Sequence, residues 1–155
     1  MQKIHVEKQS PYSAQQMFDL IVDVDRYHAF IPYCTASRVR SREADGADGD
    51  EVMLADLVIA YKFLRETYSS RVLLSHAPLT VTVNQARGPF RHLFNQWRFT
   101  PTDEGCLIDF TLDFEFSVPL LRRVIQPIMG RVVEKFVAAF ETRAHAVYGQ
   151  AQVEE

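Results

Sequence analysis

Apolar and polar side chains alternate most regularly over residues 105 to 117. The apolar positions are Ile108, Phe110, Leu112, Phe114 and Phe116. Because successive side chains of a β-strand point to opposite faces of a sheet, this pattern predicts a strand with one buried and one exposed face. Less regular alternation predicts six further strands, at residues 2–9, 35–43, 50–61, 64–75, 79–87 and 91–100.

A helical period replaces the alternation between the first two of these strands. Ser13 and Gln16 form an S-x-x-Q capping box, which is typical of a helix start. A second short helix is expected from near Asp23 and must end before Pro32, because proline disfavours helical backbone in the preceding residue. The buried face of the first helix is predicted from apolar residues at helical spacing, namely Ala14, Met17, Phe18 and Ile21.

A long apolar stripe follows Pro119 and predicts the last helix. At about 1.5 Å per residue, a helix of about 29 residues is ~43 Å long and can cross a whole sheet. Pro127 lies inside the pattern and is expected to kink or interrupt the helix, and Gly149 is placed to cap its end. The stripe consists of Leu121, Val124, Ile125, Ile128, Val132, Phe136, Phe140 and Val147.

This order of elements predicts an α+β fold. Strands joined by short turns form an antiparallel sheet, and the C-terminal helix must cover its apolar face. A strongly curved sheet that holds one helix leaves a space between the two, and that space is the candidate binding site. We expect a single ligand-binding domain over residues 1–150 and a disordered tail over residues 151–155.

Composition narrows the classes of function. The chain has 155 residues and a net charge of −3, so free nucleic acid is not an expected partner. With 11 Phe and 6 Tyr, the core is rich in rings, and a ring-lined cavity is favoured over a completely filled core. Cys34 and Cys106 stand far apart without CxxC spacing, which argues against a disulfide framework and a zinc site.

Neither a targeting segment nor a catalytic motif is evident. The N-terminus lacks the apolar run of a signal peptide and the Arg-rich pattern of a mitochondrial leader, so we expect a cytoplasmic protein. Membrane contact is expected to be peripheral and transient, at the inner face of the membrane, because no apolar run reaches ~18 residues. Nucleophile elbow, HExxH, P-loop and dinucleotide motifs are absent, and the histidines lack metal-ligand spacing. We therefore expect no catalytic residues, no metal and no cofactor.

Three segments resemble one known family. Residues 13–34, SAQQMFDLIVDVDRYHAFIPYC, contain an acidic V-x-D turn, a Tyr and a Phe-x-Pro-aromatic-Cys motif. Residues 88–99, GPFRHLFNQWRF, contain Gly-Pro-Phe followed by Trp-x-Phe, and residues 136–149, FVAAFETRAHAVYG, match the last helix. In this order they resemble the coenzyme Q-binding branch of the START-like, polyketide cyclase/dehydrase superfamily.

The resemblance implies a helix-grip (START-like) fold, with a curved antiparallel sheet of about seven strands around a long C-terminal helix and two short helices after the first strand. It also implies binding of a polyisoprenoid quinone such as ubiquinone, in support of respiration or quinone biosynthesis. Some bacterial relatives are ribosome-association toxins that block subunit joining, and more distant relatives are aromatase/cyclases. The absence of a leader favours a bacterial member.

The candidate ligand-binding residues come from the predicted dry faces and from the family-like loops. Tyr33 and Phe90 are expected at the rim, where the loops at 31–33 and 88–90 form the opening. The remaining predicted wall residues are Val81, Val83, Trp97, Phe99, Phe110, Leu112, Phe114, Val132, Phe136 and Phe140.

Two other functions remain open on the sequence. A ribosome-binding regulator would use a surface, and its basic patch would consist of Arg38, Arg40 and Arg42 or of Arg122, Arg123 and Arg131. A polyketide cyclase would need polar groups inside the cavity, for which the candidates are Arg65, Glu66 and Tyr68.

Overall fold

Seven antiparallel strands form one sheet in the computed structural model, which describes residues 2–46 and 49–149. The order across the sheet is β1-β7-β6-β5-β4-β3-β2, so every strand after β1 pairs with its neighbour in the chain. All seven predicted strands are confirmed, and the predicted tail at 151–155 lies outside the described residues. The strands are β1 (Gln2–Ser10), β2 (Cys34–Ala44), β3 (Glu51–Tyr61), β4 (Leu64–His76), β5 (Leu79–Arg87), β6 (Phe90–Thr102) and β7 (Gly105–Phe116).

Two short helices connect β1 to β2. The first, α1 (Ala14–Val22), starts with the predicted capping box, in which Ser13 Oγ accepts a hydrogen bond from the Gln16 backbone N–H at 3.0 Å. The Gln16 side chain accepts one in return from the Ser13 backbone N–H at 2.9 Å. The second is a 3₁₀-helix, Val24–Ala29, which ends before Pro32 as expected.

The C-terminal helical segment is divided at Pro127. It consists of α2 (Pro119–Val124), a 3₁₀ turn (Gln126–Ile128) and α3 (Met129–Tyr148). The predicted interruption is therefore confirmed, and the longest continuous helix has 20 residues, or ~30 Å, not ~43 Å. Proline lacks the N–H that the helical ladder requires, and its ring clashes with the preceding turn.

The apolar stripe of α3 differs from the predicted one at its end. Val147 is 49% exposed, so its assignment to the buried stripe was wrong. The inward position belongs to Tyr148, which follows Phe140 and Ala144 at steps of four residues and whose hydroxyl donates to the Gln16 carbonyl at 2.8 Å. The C-terminal end of α3 thus packs against α1.

Strand β7 shows the alternation that the sequence predicts. All five of its apolar positions from Ile108 to Phe116 are buried, and the positions between them are half-buried. Aromatic rings join this face to β6 and α3. The Trp97 ring centroid lies 4.7 Å from that of Phe110 and 5.4 Å from that of Phe140. Edge-to-face ring pairs of this kind stabilise the core beyond the area that they bury.

We expect Gly105→Ala to destabilise the protein strongly. Gly105 starts β7 with φ +146°, and a Cβ at this position would lie 2.1 Å from the Ser10 carbonyl oxygen. Strained backbone of this kind alone costs about 1–3 kcal/mol, and the clash adds to it. Urea denaturation of the variant should show a free energy of unfolding lower by at least about 2 kcal/mol.

Gly130→Ala is the matched control. Gly130 lies in α3, and a Cβ there would meet nothing within 4 Å. Alanine is favoured over glycine in a helix by roughly 0.5–1 kcal/mol, so this variant should be equal to the parent or slightly more stable. Equal stability of Gly105→Ala and the parent would contradict the close packing of the β7 start against Ser10.

Candidate functional site

A cavity of about 250 Å³ lies between the sheet and the C-terminal helical segment. Strands β3 and β4 form one wall, α2 and the first half of α3 form the opposite wall, and residues of β6 and β7 complete it. The lining consists of Ile31, Pro32, Tyr33, Leu57, Ile59, Tyr61, Leu64, Glu66, Tyr68, Pro89, Phe90, Leu93, Asn95, Phe110, Leu112, Phe116, Leu121, Ile125, Ile128, Met129, Val132, Val133 and Phe136.

The sheet wall follows from strand geometry. Alternate residues of one strand share a face, so Leu57, Ile59 and Tyr61 of β3 all point into the cavity. The antiparallel register places Ile59 opposite Glu66 and Leu57 opposite Tyr68, which brings the same face of β4 into the wall. The apolar residues of β3 in this wall are only half-buried, because the cavity lies in front of them.

Helix α3 presents two adjacent stripes. Val133, Val137 and Phe140 are almost fully buried, at 3%, 3% and 1% exposure. Val132 and Phe136 lie beside this stripe, line the cavity and are half-buried. The turn at Pro127 changes the direction of the chain between α2 and α3, so both can contribute to the same wall.

Few polar side chains face the cavity. Asn95 donates from Nδ2 to the Thr111 carbonyl at 2.9 Å. Burial raises the pKa of Tyr68, so its hydroxyl stays protonated at neutral pH, although a hydrogen bond from Ser70 opposes the shift. Within residues 2–46 and 49–149, Glu66 has neither a hydrogen-bond nor an ion-pair partner. The wall is therefore apolar except at a few separate points.

One rim of the cavity combines two tyrosines with two lysines. The rings of Tyr33 and Tyr61 meet edge to face at 5.2 Å. Lys62 Nζ lies 5.4 Å from the Tyr61 ring centroid, and Lys135 Nζ donates to the Tyr33 hydroxyl at 3.5 Å. Tyr33 and Lys62 have positive φ angles of 69° and 56°, a conformation that costs a non-glycine residue free energy. The fold maintains this rim at a cost in stability.

Six of the twelve candidate residues line the cavity. They come from the rim, from β7 and from α3, and they are Tyr33, Phe90, Phe110, Leu112, Val132 and Phe136. Both loops expected at the opening, residues 31–33 and 88–90, contribute to the lining. Phe90 also stacks on Phe116 at 4.7 Å, so its ring supports the core as well as the cavity. Ligand contact by these residues remains a prediction.

The other six candidates are not among the residues that line this cavity, and their contact with a ligand also remains a prediction. They are Val81, Val83, Trp97, Phe99, Phe114 and Phe140. They point to the same face of the sheet as the lining residues. Phe114 packs against Phe90 and Phe116, with ring centroids 6.4 and 5.6 Å away. Phe99 meets the Phe18 ring of α1 at 6.2 Å, and Trp97 contacts Phe140.

Sequence reasoning missed most of the β3 and β4 wall. The alternation of Leu57, Ile59 and Tyr61 on β3 was available as a signal, but it does not reveal where along the sheet the covering helix ends. Of the three cyclase candidates, Glu66 and Tyr68 line the cavity, whereas Arg65 is exposed on the opposite face of β4.

Other reactive groups lie away from the cavity lining. His5, Glu7 and Asp109 bring potential metal-ligating atoms within 4.8 Å of one another on the outer face of β1 and β7. His5 Nε2 already lies 3.0 Å from Asp109 Oδ1, within hydrogen-bond distance at the surface. Cys34 and Cys106 are free and buried, and burial raises the pKa of the Cys106 thiol to about 11, which keeps it unreactive.

Comparisons with known proteins agree with this architecture. The ribosome association toxin RatA of Escherichia coli K12 is 34% identical over 139 residues, which cover 89% of this chain and 84% of that protein. The mitochondrial coenzyme Q-binding protein COQ10 homolog B of Xenopus laevis is 30% identical over 152 residues, covering 92% of this chain and 57% of that protein. The Zhui aromatase/cyclase of Streptomyces sp. R1128 shares the fold, with a TM-score of 0.78 and 16% sequence identity. The match covers 97% of this chain and 98% of that protein.

The family model for polyketide cyclase / dehydrase and lipid transport proteins matches residues 10–141. This range begins at the end of β1, runs through the whole cavity lining and ends within α3. The seven-stranded antiparallel sheet and the C-terminal helix are the features of the START-like, helix-grip fold that the sequence predicts. The chain therefore belongs to the polyketide cyclase / dehydrase and lipid transport family.

Proposed function

We propose that this chain binds an apolar ligand, a polyisoprenoid quinone such as ubiquinone, in the cavity between the sheet and the C-terminal helical segment. The observation that carries the proposal is the apolar lining, in which leucine, isoleucine, valine and aromatic side chains surround a space of about 250 Å³. Burial of apolar surface contributes about 25 cal/mol per Å², so such a ligand needs few polar contacts. The similarity to a coenzyme Q-binding protein supports a quinone as the ligand.

The size of the cavity determines how such a ligand would sit. Pockets for drug-sized ligands are typically ~300–1,000 Å³, and this cavity is slightly smaller. It can accommodate the quinone ring and the beginning of the tail, whereas a long isoprenoid tail would leave through the rim. The ring, with its two carbonyl acceptors, would lie within reach of Asn95 or the protonated Tyr68 hydroxyl.

The polar groups of the cavity favour binding over catalysis. Acid–base chemistry needs a group with a pKa near the working pH and a partner that orients it. A tyrosine hydroxyl is protonated at neutral pH, and burial raises the pKa of Tyr68 further from that range, so Tyr68 can donate a hydrogen bond but does not act as a base. Histidine, cysteine, lysine and arginine do not occur among the described lining residues. We therefore propose that the chain is not an enzyme, although fold relatives include an aromatase/cyclase.

Ile59→Trp should block the proposed function. Ile59 is half-buried and lines the cavity from β3, so a larger ring can occupy the space meant for a ligand. Because the ring enters existing space, the free energy of unfolding should change by less than about 1.5 kcal/mol. Organic extraction of the purified protein followed by mass spectrometry should show quinone with the parent chain and almost none with the variant.

Val58→Trp is the matched control for this experiment. Val58 is the neighbouring residue on β3, equally half-buried, and it is not among the lining residues. The Val58→Trp variant should retain as much quinone as the parent chain. The proposal would be contradicted if Ile59→Trp kept its quinone, or if the parent chain carried no quinone and bound none when it was supplied.

Ribosome binding is the second candidate function, and the similarity to RatA favours it. Of the two predicted arginine patches, the one on β2 is largely neutralised. Arg38 and Arg40 both pair with Asp56, at 3.2 and 3.0 Å, and Arg42 pairs with Glu51 at 2.8 Å. Paired arginines attract RNA phosphates less strongly than free ones. A ribosome-binding surface would therefore have to lie elsewhere, near Arg122, Arg123 and Arg131.

Sucrose-gradient sedimentation separates the two functions. If quinone binding is the function, the purified chain should remain at the top of the gradient when it is mixed with ribosomal subunits at physiological salt. Co-sedimentation with either subunit, unchanged in Ile59→Trp, would favour the ribosomal function, because that variant alters the cavity and leaves the surface intact.

A further inference from the structure

Exposed apolar side chains gather where the two cavity walls end. The described residues expose four large apolar side chains, which are Phe63, Val118, Leu120 and Val147. Phe63 is 74% exposed and lies in the β3–β4 turn, between the lining residues Tyr61 and Leu64. Leu120, 39% exposed, directly precedes the lining residue Leu121 at the start of α2. Three of the four therefore adjoin the cavity walls.

The same elements carry a local positive charge. Residues 118–135 contain Arg122, Arg123, Arg131 and Lys135 against a single acid, Glu134, for a formal charge of +3. The whole chain has a formal charge of −3, so the remaining residues together carry −6. Lys62 of the β3–β4 turn adds one positive charge beside Phe63, whereas Arg65 and Glu66 at the start of β4 cancel in formal charge. A protein that is acidic in total thus has a basic region around one end of its cavity.

Several of these basic side chains are unpaired within the described residues, as are Arg71 and Arg98 on the outer face of the sheet. Within residues 2–46 and 49–149, Arg65, Arg123 and Arg131 have no ion-pair or hydrogen-bond partner. Lys62 and Lys135 lie against the tyrosine rings of the rim, 5.4 and 6.0 Å from the ring centroids. The arginines of β2, in contrast, are paired with carboxylates. The charge around the cavity is therefore available to an external anion.

We propose that this surface docks on a bilayer that contains anionic phospholipid. The docking surface consists of Phe63, Val118 and Leu120 with Lys62, Arg122, Arg123, Arg131 and Lys135. Peripheral membrane proteins combine apolar side chains, which enter the headgroup region, with basic side chains, which attract anionic lipids. Both kinds are present here beside the cavity, and no described helix is long and apolar enough to cross a membrane.

Docking in this orientation gives the proposed ligand a path. This step depends on the proposed quinone function, whereas the docking itself does not. A tail that leaves a cavity of about 250 Å³ through the Tyr33–Tyr61 rim would emerge next to Phe63 and Lys135. With this surface on the bilayer, the tail passes from protein to lipid without crossing water, which avoids the cost of exposing apolar surface.

Ribosomal RNA is the competing partner for a basic surface. Phosphate recognition needs positive charge but gains nothing from a phenylalanine that is 74% exposed at the tip of a turn. The placement of Phe63 and Leu120 among the basic residues therefore favours lipid over RNA. The experiment includes RNA binding as an outcome that would overturn the proposal.

Vesicle flotation tests the docking surface. The parent chain should float with vesicles of phosphatidylcholine and phosphatidylglycerol, and much less with phosphatidylcholine alone. Arg123→Glu/Arg131→Glu should reduce binding to the anionic vesicles by about tenfold or more. Arg71→Glu/Arg98→Glu is the control with the same change in charge, because both side chains are exposed on the outer face of the sheet, and it should bind closer to the parent level.

A second pair of variants tests the apolar part of the surface. Phe63→Ser/Leu120→Ser should weaken flotation severalfold, because it removes side chains that enter the headgroup region. Val147→Ser, which changes the exposed apolar residue at the far end of α3, should bind like the parent. Thermal denaturation should show parent-like stability for all four variants, since each changes exposed side chains only.

Three results would overturn the proposal: no flotation of the parent chain, equal losses in the two charge-reversal variants, or binding of Arg123 and Arg131 to ribosomal RNA without any binding to vesicles. The binding of a short-chain, water-soluble quinone, measured by tryptophan fluorescence without vesicles, reports on the proposed function separately. Loss of quinone binding with normal flotation would refute the quinone function and leave the docking surface intact.

Discussion

The structure depends on how the apolar face of the sheet is covered. Seven strands present more apolar surface on this face than a single 20-residue helix can contact. Helix α3 packs its most buried stripe, which includes Val137 and Phe140, near Trp97, and α1 covers the neighbouring part around Phe99. Residues 57–61 of β3 and 64–68 of β4 have only α2 and the start of α3 opposite them. The space between these strands and the helices is the cavity.

The interruption at Pro127 matters for the same reason. Because of this proline, residues 119–148 form two α-helices joined by a 3₁₀ turn and not one continuous helix. The 3₁₀ turn allows α2 to contribute Leu121 to the cavity wall while α3 remains packed on the core. The rim formed by Tyr33 and Tyr61 then limits the opening, and the positive φ of Tyr33 shows that the fold tolerates strain to hold it.

The sequence was sufficient for the fold, and six of the twelve candidate residues line the cavity, although their contact with a ligand stays a prediction. The alternation in β7, the capping box at Ser13 and the break at Pro127 are local signals, and each was confirmed by the structure. The site depends on which part of the sheet the helices fail to cover, and this is a long-range property that local periodicity does not encode. Trp97 and Leu57 have similar inward patterns, yet one lies in the core and the other lines the cavity.

The cavity and the outer surface are two separate parts of this fold, and each can carry a different function. Relatives with different names can therefore share the fold. Family members include a protein named for ribosome association and another named for coenzyme Q binding, each about as similar to this chain as the other. In this chain, the outer face of β2 is internally paired, since Asp56 holds both Arg38 and Arg40. Arg123 and Arg131, which are unpaired within the described residues, and the exposed Phe63 lie on elements that form the cavity walls. Positive charge and exposed apolar side chains therefore lie on the same elements as the walls of the cavity.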